Sequence, residues 1–137
     1  GPSTALFEYC ELHSKRDSYI TAASTPQNIE FGYVFKNCKL TAAPGVKKVY
    51  LGRPWRPEGK TAVLDCRLGA HIAPEGFAGW NDRTDTALAG FAEAGSTGAG
   101  AGERPGWVQA LSAAEAAALL RAARQKCRME TTERITE

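Results

Sequence analysis

The chain has 137 residues, 43% of them apolar and 23% charged, the composition of one compact folded domain rather than of a disordered tail. Its richest apolar stretch, residues 113–120, is interrupted by Glu115 and falls short of the roughly 18 residues a membrane span needs, which excludes a transmembrane helix. Seventeen Lys and Arg against fifteen Asp and Glu leave a formal charge of +2, too small to argue for a nucleic-acid partner.

The first segments share a pattern. Cys10, Cys38 and Cys66 are spaced by 28 and again by 28 residues. Around them the sequence reads Phe7-Glu8-Tyr9-Cys10-Glu11-Leu12, Phe35-Lys36-Asn37-Cys38-Lys39-Leu40 and Val63-Leu64-Asp65-Cys66-Arg67-Leu68. Each copy has a large apolar residue three before Cys, a charge after it and Leu two after it. Positions two apart in a strand share a side, so each copy is expected to be a half-buried strand. A period between 20 and 50 residues without a helical pattern predicts a parallel β-helix in which the three cysteines stack. Small, half-polar Cys fills such a column well as a buried thiol, the reading preferred here over a disulfide. With no Cys-x-x-Cys pair and only His13 and His71 as histidines, no metal site is expected.

A second register runs through Tyr19-Ile20-Thr21-Ala22 and Val49-Tyr50-Leu51-Gly52, each β-rich and followed by a loop. Tyr19 and Tyr50 are 31 apart, which predicts coils with loops of unequal length. Turn clusters fall at Thr25-Pro26-Gln27-Asn28 and Ala43-Pro44-Gly45. The stretch 86–102 is so rich in Ala and Gly that composition alone makes it a flexible linker. Ser112-Ala113-Ala114-Glu115 is a capping-box start, and an amphipathic helix should run from it to about Lys126 and cover one end of the solenoid. The polar residues 128–137 are expected to fray.

No Gly-x-Ser-x-Gly elbow, dinucleotide fingerprint or P-loop is present. The most unusual cluster is Tyr50-Leu51-Gly52-Arg53-Pro54-Trp55-Arg56-Pro57. A Trp face suits the apolar face of a sugar ring and Arg holds a carboxylate bidentately, so the combination suits an acidic sugar. Lys47, Lys48, Arg53, Arg56 and Lys60 form a local basic patch, equally readable as a polyanion site or a solvated loop. Trp80 is a second stacking candidate, with core packing as its alternative. His13 and His71 fit loop or surface roles better than catalysis. Among Asp17, Asp65, Asp82 and Asp85, none stands out as a nucleophile.

The residues 19–22, 32–38, 50–55, 72–77 with Trp80, 96–101, and Leu111-Ser112 with Glu115-Ala116 resemble, in order, the C-terminal part of pectin methylesterases. The resemblance implies a right-handed parallel β-helix of about three coils over residues 1–127, with a C-terminal capping helix and a polar tail at 128–137. It makes the Ala- and Gly-rich stretch an ordered segment. It also implies hydrolysis of methyl esters of homogalacturonan by two aspartates, without cofactor or metal. Arg53 matches the arginine that orients the nucleophilic aspartate, Trp55 matches the tryptophan that stacks on a galacturonate ring, and Trp80 matches a cleft-lining position. The family's aspartates precede the segment seen here, the second in an Asp-Phe-Ile-Phe-Gly motif whose last Gly aligns with Gly1. The partners implied are therefore pectin and an upstream part of the same β-helix, with no nucleic acid and no membrane. The implied location is secreted or periplasmic. A non-catalytic β-helix that binds acidic polysaccharide is the alternative. Ala23 stands where many relatives have Gln, and Phe77 where Trp is usual.

Overall fold

The computed structural model describes residues 4–23, 32–54, 60–78, 90–105 and 108–136. Its strands are β1 (Ala5–Glu8), β2 (Glu11–Ser14), β3 (Ala22–Ala23), β4 (Tyr33–Lys36), β5 (Lys39–Ala42), β6 (Arg53–Pro54), β7 (Lys60–Leu64), β8 (Arg67–Leu68), β9 (Gly90–Ala94) and β10 (Gln109–Ala110), followed by one helix, α1 (Ala113–Thr136). They assemble into three parallel layers, ordered β1-β4-β7-β9-β10, β2-β5-β8 and β3-β6. This is the stacked-coil arrangement that the 28-residue period implies. Ala5, Tyr33 and Thr61 stand in one column of the first layer, and Leu12, Leu40 and Leu68 in one column of the second.

The repeated Phe-x-x-Cys-x-Leu unit is two strands rather than the single strand expected. Tyr9, Asn37 and Asp65 have φ of 56°, 54° and 50°, left-handed conformations that turn the chain from the first layer into the second. Backbone bonding still runs through the corner, since the N–H groups of Tyr9, Asn37 and Asp65 donate to the Lys36, Leu64 and Ala94 carbonyls. The corner keeps Cys38, Leu40, Cys66 and Leu68 buried while Lys39 and Arg67 face water.

The first layer is covered on both sides. Phe35, Val63 and Phe91 point into the coil, where they meet Leu40, Leu51, Leu68 and Phe77. Their neighbours Val34, Ala62, Leu64 and Ala92 point outward and pack against Leu120 and Ala123 of α1. The helix therefore lies across the outer face of the sheet, not over one end of the solenoid as the sequence suggests. Arg124 reaches Glu8 on β1, with Nη2 at 2.6 Å from Oε1. An apolar outer face on a parallel sheet needs such a cover. The capping box is formed as expected: the Ser112 N–H donates to Glu115 Oε1 at 3.0 Å and the Glu115 N–H to Ser112 Oγ at 3.1 Å. Beyond Lys126, where the apolar pattern ends, the backbone stays helical through Thr136.

Residues 90–102, inside the stretch that composition marks as a linker, form β9 and the corner after it. Ala94 pairs with Leu64, Thr97 bridges to Arg67, and Gly95 takes the left-handed corner with φ 67°. This is a further coil of the same solenoid. Stacked rings run along it: Phe7 on Phe35 at 5.0 Å, Phe77 on Phe91 at 4.6 Å and Tyr19 on Tyr50 at 5.4 Å between centroids. All four cysteines are free thiols. His71, expected in a surface or loop role, is only 5% exposed and sits in the turn after β8.

Candidate active site

The third layer carries Arg53, the candidate site residue among those described. Val49 and Leu51 are buried while Tyr50 between them faces out, as alternation requires. Tyr50 bridges to Tyr19, and Gly52 bridges to Phe77 of the next coil. Arg53 then pairs in register with Ala22, its N–H donating to the Thr21 carbonyl at 3.1 Å. Arg53 is thereby held on the outer side of a rung bonded to the coils on both sides, the Gly52 carbonyl accepting from the Ala78 N–H at 2.9 Å.

Gly52 has a mechanical reason. Its inward side faces the Thr21 hydroxyl and the Phe77 ring, so a Cβ there would run into Thr21 Oγ1 and lie 3.5 Å from Phe77. The Thr21 hydroxyl is committed, donating to the Leu51 carbonyl at 3.0 Å and lying 3.1 Å from Thr61 Oγ1. Only a residue without a side chain fits between Leu51 and Arg53.

The Arg53 guanidinium carbon lies 4.0 Å from the centroid of the Tyr19 ring, within cation–π range. Tyr19 stacks on Tyr50 at an interplanar angle of 15°, and Lys48 Nζ is 5.7 Å from the Tyr50 centroid. Asp17 fixes the approach to Lys48: its Oδ1 accepts the Lys47 N–H at 2.9 Å and the Lys48 N–H at 3.1 Å. Those two backbone bonds hold the Asp17 carboxyl below its ordinary pKa. Lys48 is pushed up, first by its hydrogen bond to Tyr50, and remains a cation. The structure thus brings Arg53, Tyr19, Tyr50 and Lys48 onto one face. Trp55, Trp80, Arg56, Asp82 and Asp85 lie outside the described residues. Asp65 faces water at its corner and pairs with Lys36. Among the described residues no three of His, Cys, Asp and Glu come together as a metal site.

The sequence alone does not mark Tyr19 as a site residue. The signal that could find it is the 31-residue offset from Tyr50, which places the two rings on neighbouring rungs of one layer.

Residues 1–122 match the family model described as Pectinesterase. The chain belongs to the pectinesterase family. It is 36% identical over 119 residues to pectinesterase 31 of Arabidopsis thaliana, covering 85% of this chain and 38% of that protein. Its fold is similar to the crystal structure of the pectin methylesterase from Aspergillus niger, with a TM-score of 0.70, 31% identity, and coverage of 82% of this chain and 38% of that one. It is also similar to a pectin methylesterase solved in complex with a hexasaccharide, with a TM-score of 0.65, 26% identity and coverage of 82% and 42%. The chain thus spans well under half the length of these pectinesterases.

Proposed function

We propose that this chain is the C-terminal portion of a pectin methylesterase β-helix that hydrolyses methyl esters of homogalacturonan. In this reading it supplies Arg53, Trp55 and Trp80 to a site whose two aspartates lie upstream, and it acts outside the cytoplasm, where its polymer is found. One aspartate attacks the ester carbonyl carbon and forms a covalent acyl intermediate, while the other protonates the departing methoxide. The second aspartate then takes a proton from water, which hydrolyses the acyl-enzyme. Arg53 hydrogen-bonds the nucleophilic carboxylate, fixes its orientation and keeps it ionised. Trp55 and Trp80 stack on galacturonate rings.

The observation that supports this reading is the placement of Arg53. It stands in the Leu51-Gly52-Arg53-Pro54 run that resembles the family's Leu-Gly-Arg-Pro-Trp segment, on a rung that pairs with Ala22 and bonds to the next coil through the Gly52 carbonyl and the Ala78 N–H, with its guanidinium over the Tyr19 ring. The hexasaccharide complex of a family relative supports an oligosaccharide as the ligand.

The test is methanol release from highly methylated pectin by the chain alone, by the chain with its upstream segment, and by the Arg53→Ala and Arg53→Lys variants. Activity is expected only with the upstream segment. Arg53→Ala should lower kcat on the order of 10²-fold, the scale of losing one preorganised donor, and Arg53→Lys should restore little of it. An Arg53→Ala protein of unchanged activity overturns the role of Arg53. Activity from the chain alone overturns the upstream aspartates, and pectin binding without any methanol release selects the non-catalytic module.

A further inference from the structure

The helix α1 crosses the outer face of the first layer from its last strands toward its first. Glu115 and Leu119 border a recess with Gly90 of β9 and Gln109 of β10, Ala116 and Leu120 border another with Leu64 and Ala94, and Arg124 reaches Glu8 of β1. The nine residues from Glu115 to Arg124 rise about 13.5 Å in a helix, and the three rungs from β9 to β1 span about 14 Å. The helix thus runs nearly along the stacking axis. It does not stop at β1: residues 125–136 carry it onward by about 18 Å, the height of roughly three to four further rungs.

Two gradients run in parallel along this interface. In the sheet, the outward column Ala94, Leu64, Lys36, Glu8 turns from apolar to charged as it approaches β1. On the helix, Ala116, Leu119, Leu120 and Ala123 pack on the sheet, and helical spacing continues their stripe through Cys127, Glu130, Thr131 and Arg134. Both surfaces change character at the same rung, where Arg124 meets Glu8. The last turns are also poor in strong helix formers, since Thr131, Thr132, Ile135 and Thr136 are β-branched. A helix of such residues is held by a surface it packs on rather than by propensity.

We infer that residues 125–136 of α1 form a clamp that docks on the outer face of the upstream coils, where the column that reaches Glu8 continues as polar and charged residues. The inference rests on the proposed pectinesterase reading, which supplies those coils, and adds a contact between them and the C-terminal end of the chain. Glu130 and Arg134 offer both signs of charge to that face, as Arg124 does to Glu8. One helix then spans the junction at β1, seated on β9 and β10 at its start and on the upstream coils at its end, so the edge strand is joined by more than its backbone hydrogen bonds.

The experiment compares the chain alone with the continuous polypeptide in which the upstream segment precedes Gly1, through the labelling rates of Cys10 and Cys127 by a thiol reagent. Cys10 follows β1 on the first coil, so upstream coils cover it wherever they stack. Cys127 stands three residues past Arg124, about 4.5 Å farther along the helix, so a docked clamp covers it. Both rates should fall about tenfold or more in the continuous polypeptide. Ending the protein at Lys126 should lower the urea midpoint of the continuous polypeptide and change that of the chain alone little. Slowing of Cys10 without slowing of Cys127 overturns the clamp and leaves the pectinesterase reading in place. Slowing of neither removes the upstream coils, and the clamp falls with them. Slowing of Cys127 in the chain alone that grows with protein concentration assigns the tail to a second copy and overturns the clamp as well.

Discussion

Arg104 and Glu93 form a two-pronged ion pair almost entirely withdrawn from water. Nε lies 2.8 Å from Oε1 and Nη2 3.2 Å from Oε2, and the side chains are only 6% and 10% exposed. The guanidinium also donates to the Pro74 and Gly100 carbonyls, and Ser96 donates to Glu93 Oε2 at 2.7 Å. Glu93 pairs in register with Val63, so the apolar column of the earlier coils ends here in a satisfied polar cluster. Removing one partner strands a buried charge. Glu93→Ala should therefore destabilise the protein by about 3–5 kcal/mol, whereas the double replacement Glu93→Leu with Arg104→Met should cost far less. Urea unfolding midpoints of the three proteins check this.

Gly52 offers a test of how the site is positioned. A methyl group there meets Thr21 Oγ1, which is held by Leu51 and Thr61, so the rung bearing Arg53 must shift. Gly52→Ala combined with Thr21→Ala relieves the clash at the expense of two buried hydrogen bonds. The single variant is expected to lose most of its methanol-releasing activity in the reconstituted enzyme, and the double variant to recover part of it. Equal activity of Gly52→Ala and the parent would show that the motif glycine does not set the position of Arg53.

Which parts of this fold are legible follows from how each coil is built. Cys10, Cys38 and Cys66 announce their column because side chain, spacing and the following Leu all repeat. The next coil is hidden. Glu93 pairs with Val63 and Thr97 bridges to Arg67, so this coil is 30 residues long and the 28-residue period is lost. At that offset Ser96 and Gly98 take the places of Cys66 and Leu68, and no residue type carries the pattern forward. Three of the four corners carry residue types common in left-handed conformations, Asn37, Asp65 and Gly95, whereas Tyr9 gives no such signal. Arg53 stands out because the residues around it are rare together, while the placement of Tyr19 and Lys48 near it follows only from the stacking of the layers.

Those corners make a prediction. Tyr9 holds φ 56° and is 75% exposed, so its side chain contributes little packing to offset the cost of a left-handed conformation. That cost is about 1–2 kcal/mol for an ordinary residue and nearly none for glycine. Tyr9→Gly should leave stability unchanged or raise it by up to about 1 kcal/mol, after the larger unfolded-state entropy of glycine is subtracted. Gly95→Ala at the equivalent corner should act in the opposite direction, because it adds strain at φ 67° and a collision with the Asp65 carboxylate. Thermal unfolding of both variants gives the two signs.

His71 makes stability depend on pH. Its Nε2 is buried without a hydrogen-bond partner, and burial, followed by the charge of His13, lowers its pKa below the ordinary 6.5. A folded-state pKa below the unfolded value means the unfolded chain takes up the proton first. The contribution of His71 is thus fully present above about pH 6.5 and is lost as the pH falls through its folded pKa. Asp17 and Glu115, whose pKa values are lowered by hydrogen bonds from backbone N–H groups, act in the same direction only in the more acidic carboxylate range. The unfolding midpoint should fall between about pH 7 and pH 5.5, and His71→Leu should flatten that step while leaving the one below about pH 4.5 in place. An unchanged slope in His71→Leu would show that His71 does not carry the step.

The cysteine column predicts a reactivity pattern. Burial pushes the Cys66 thiol up to about 12 and Cys38 upward as well, and each sulfur already donates to a backbone carbonyl, Cys66 to Leu64 at 3.4 Å and Cys38 to Lys36 at 3.5 Å. At about pH 8 neither supplies thiolate, the nucleophilic form. Cys10 and Cys127 are only half-buried. A thiol reagent should therefore label Cys10 and Cys127 in the native protein within minutes, and all four cysteines only in denaturant. Rapid native labelling of Cys66 would show that the coils open at this corner. A total of two thiols in denaturant would show that neighbouring rungs of the column are bonded as a disulfide, in which case reduction should restore the full count.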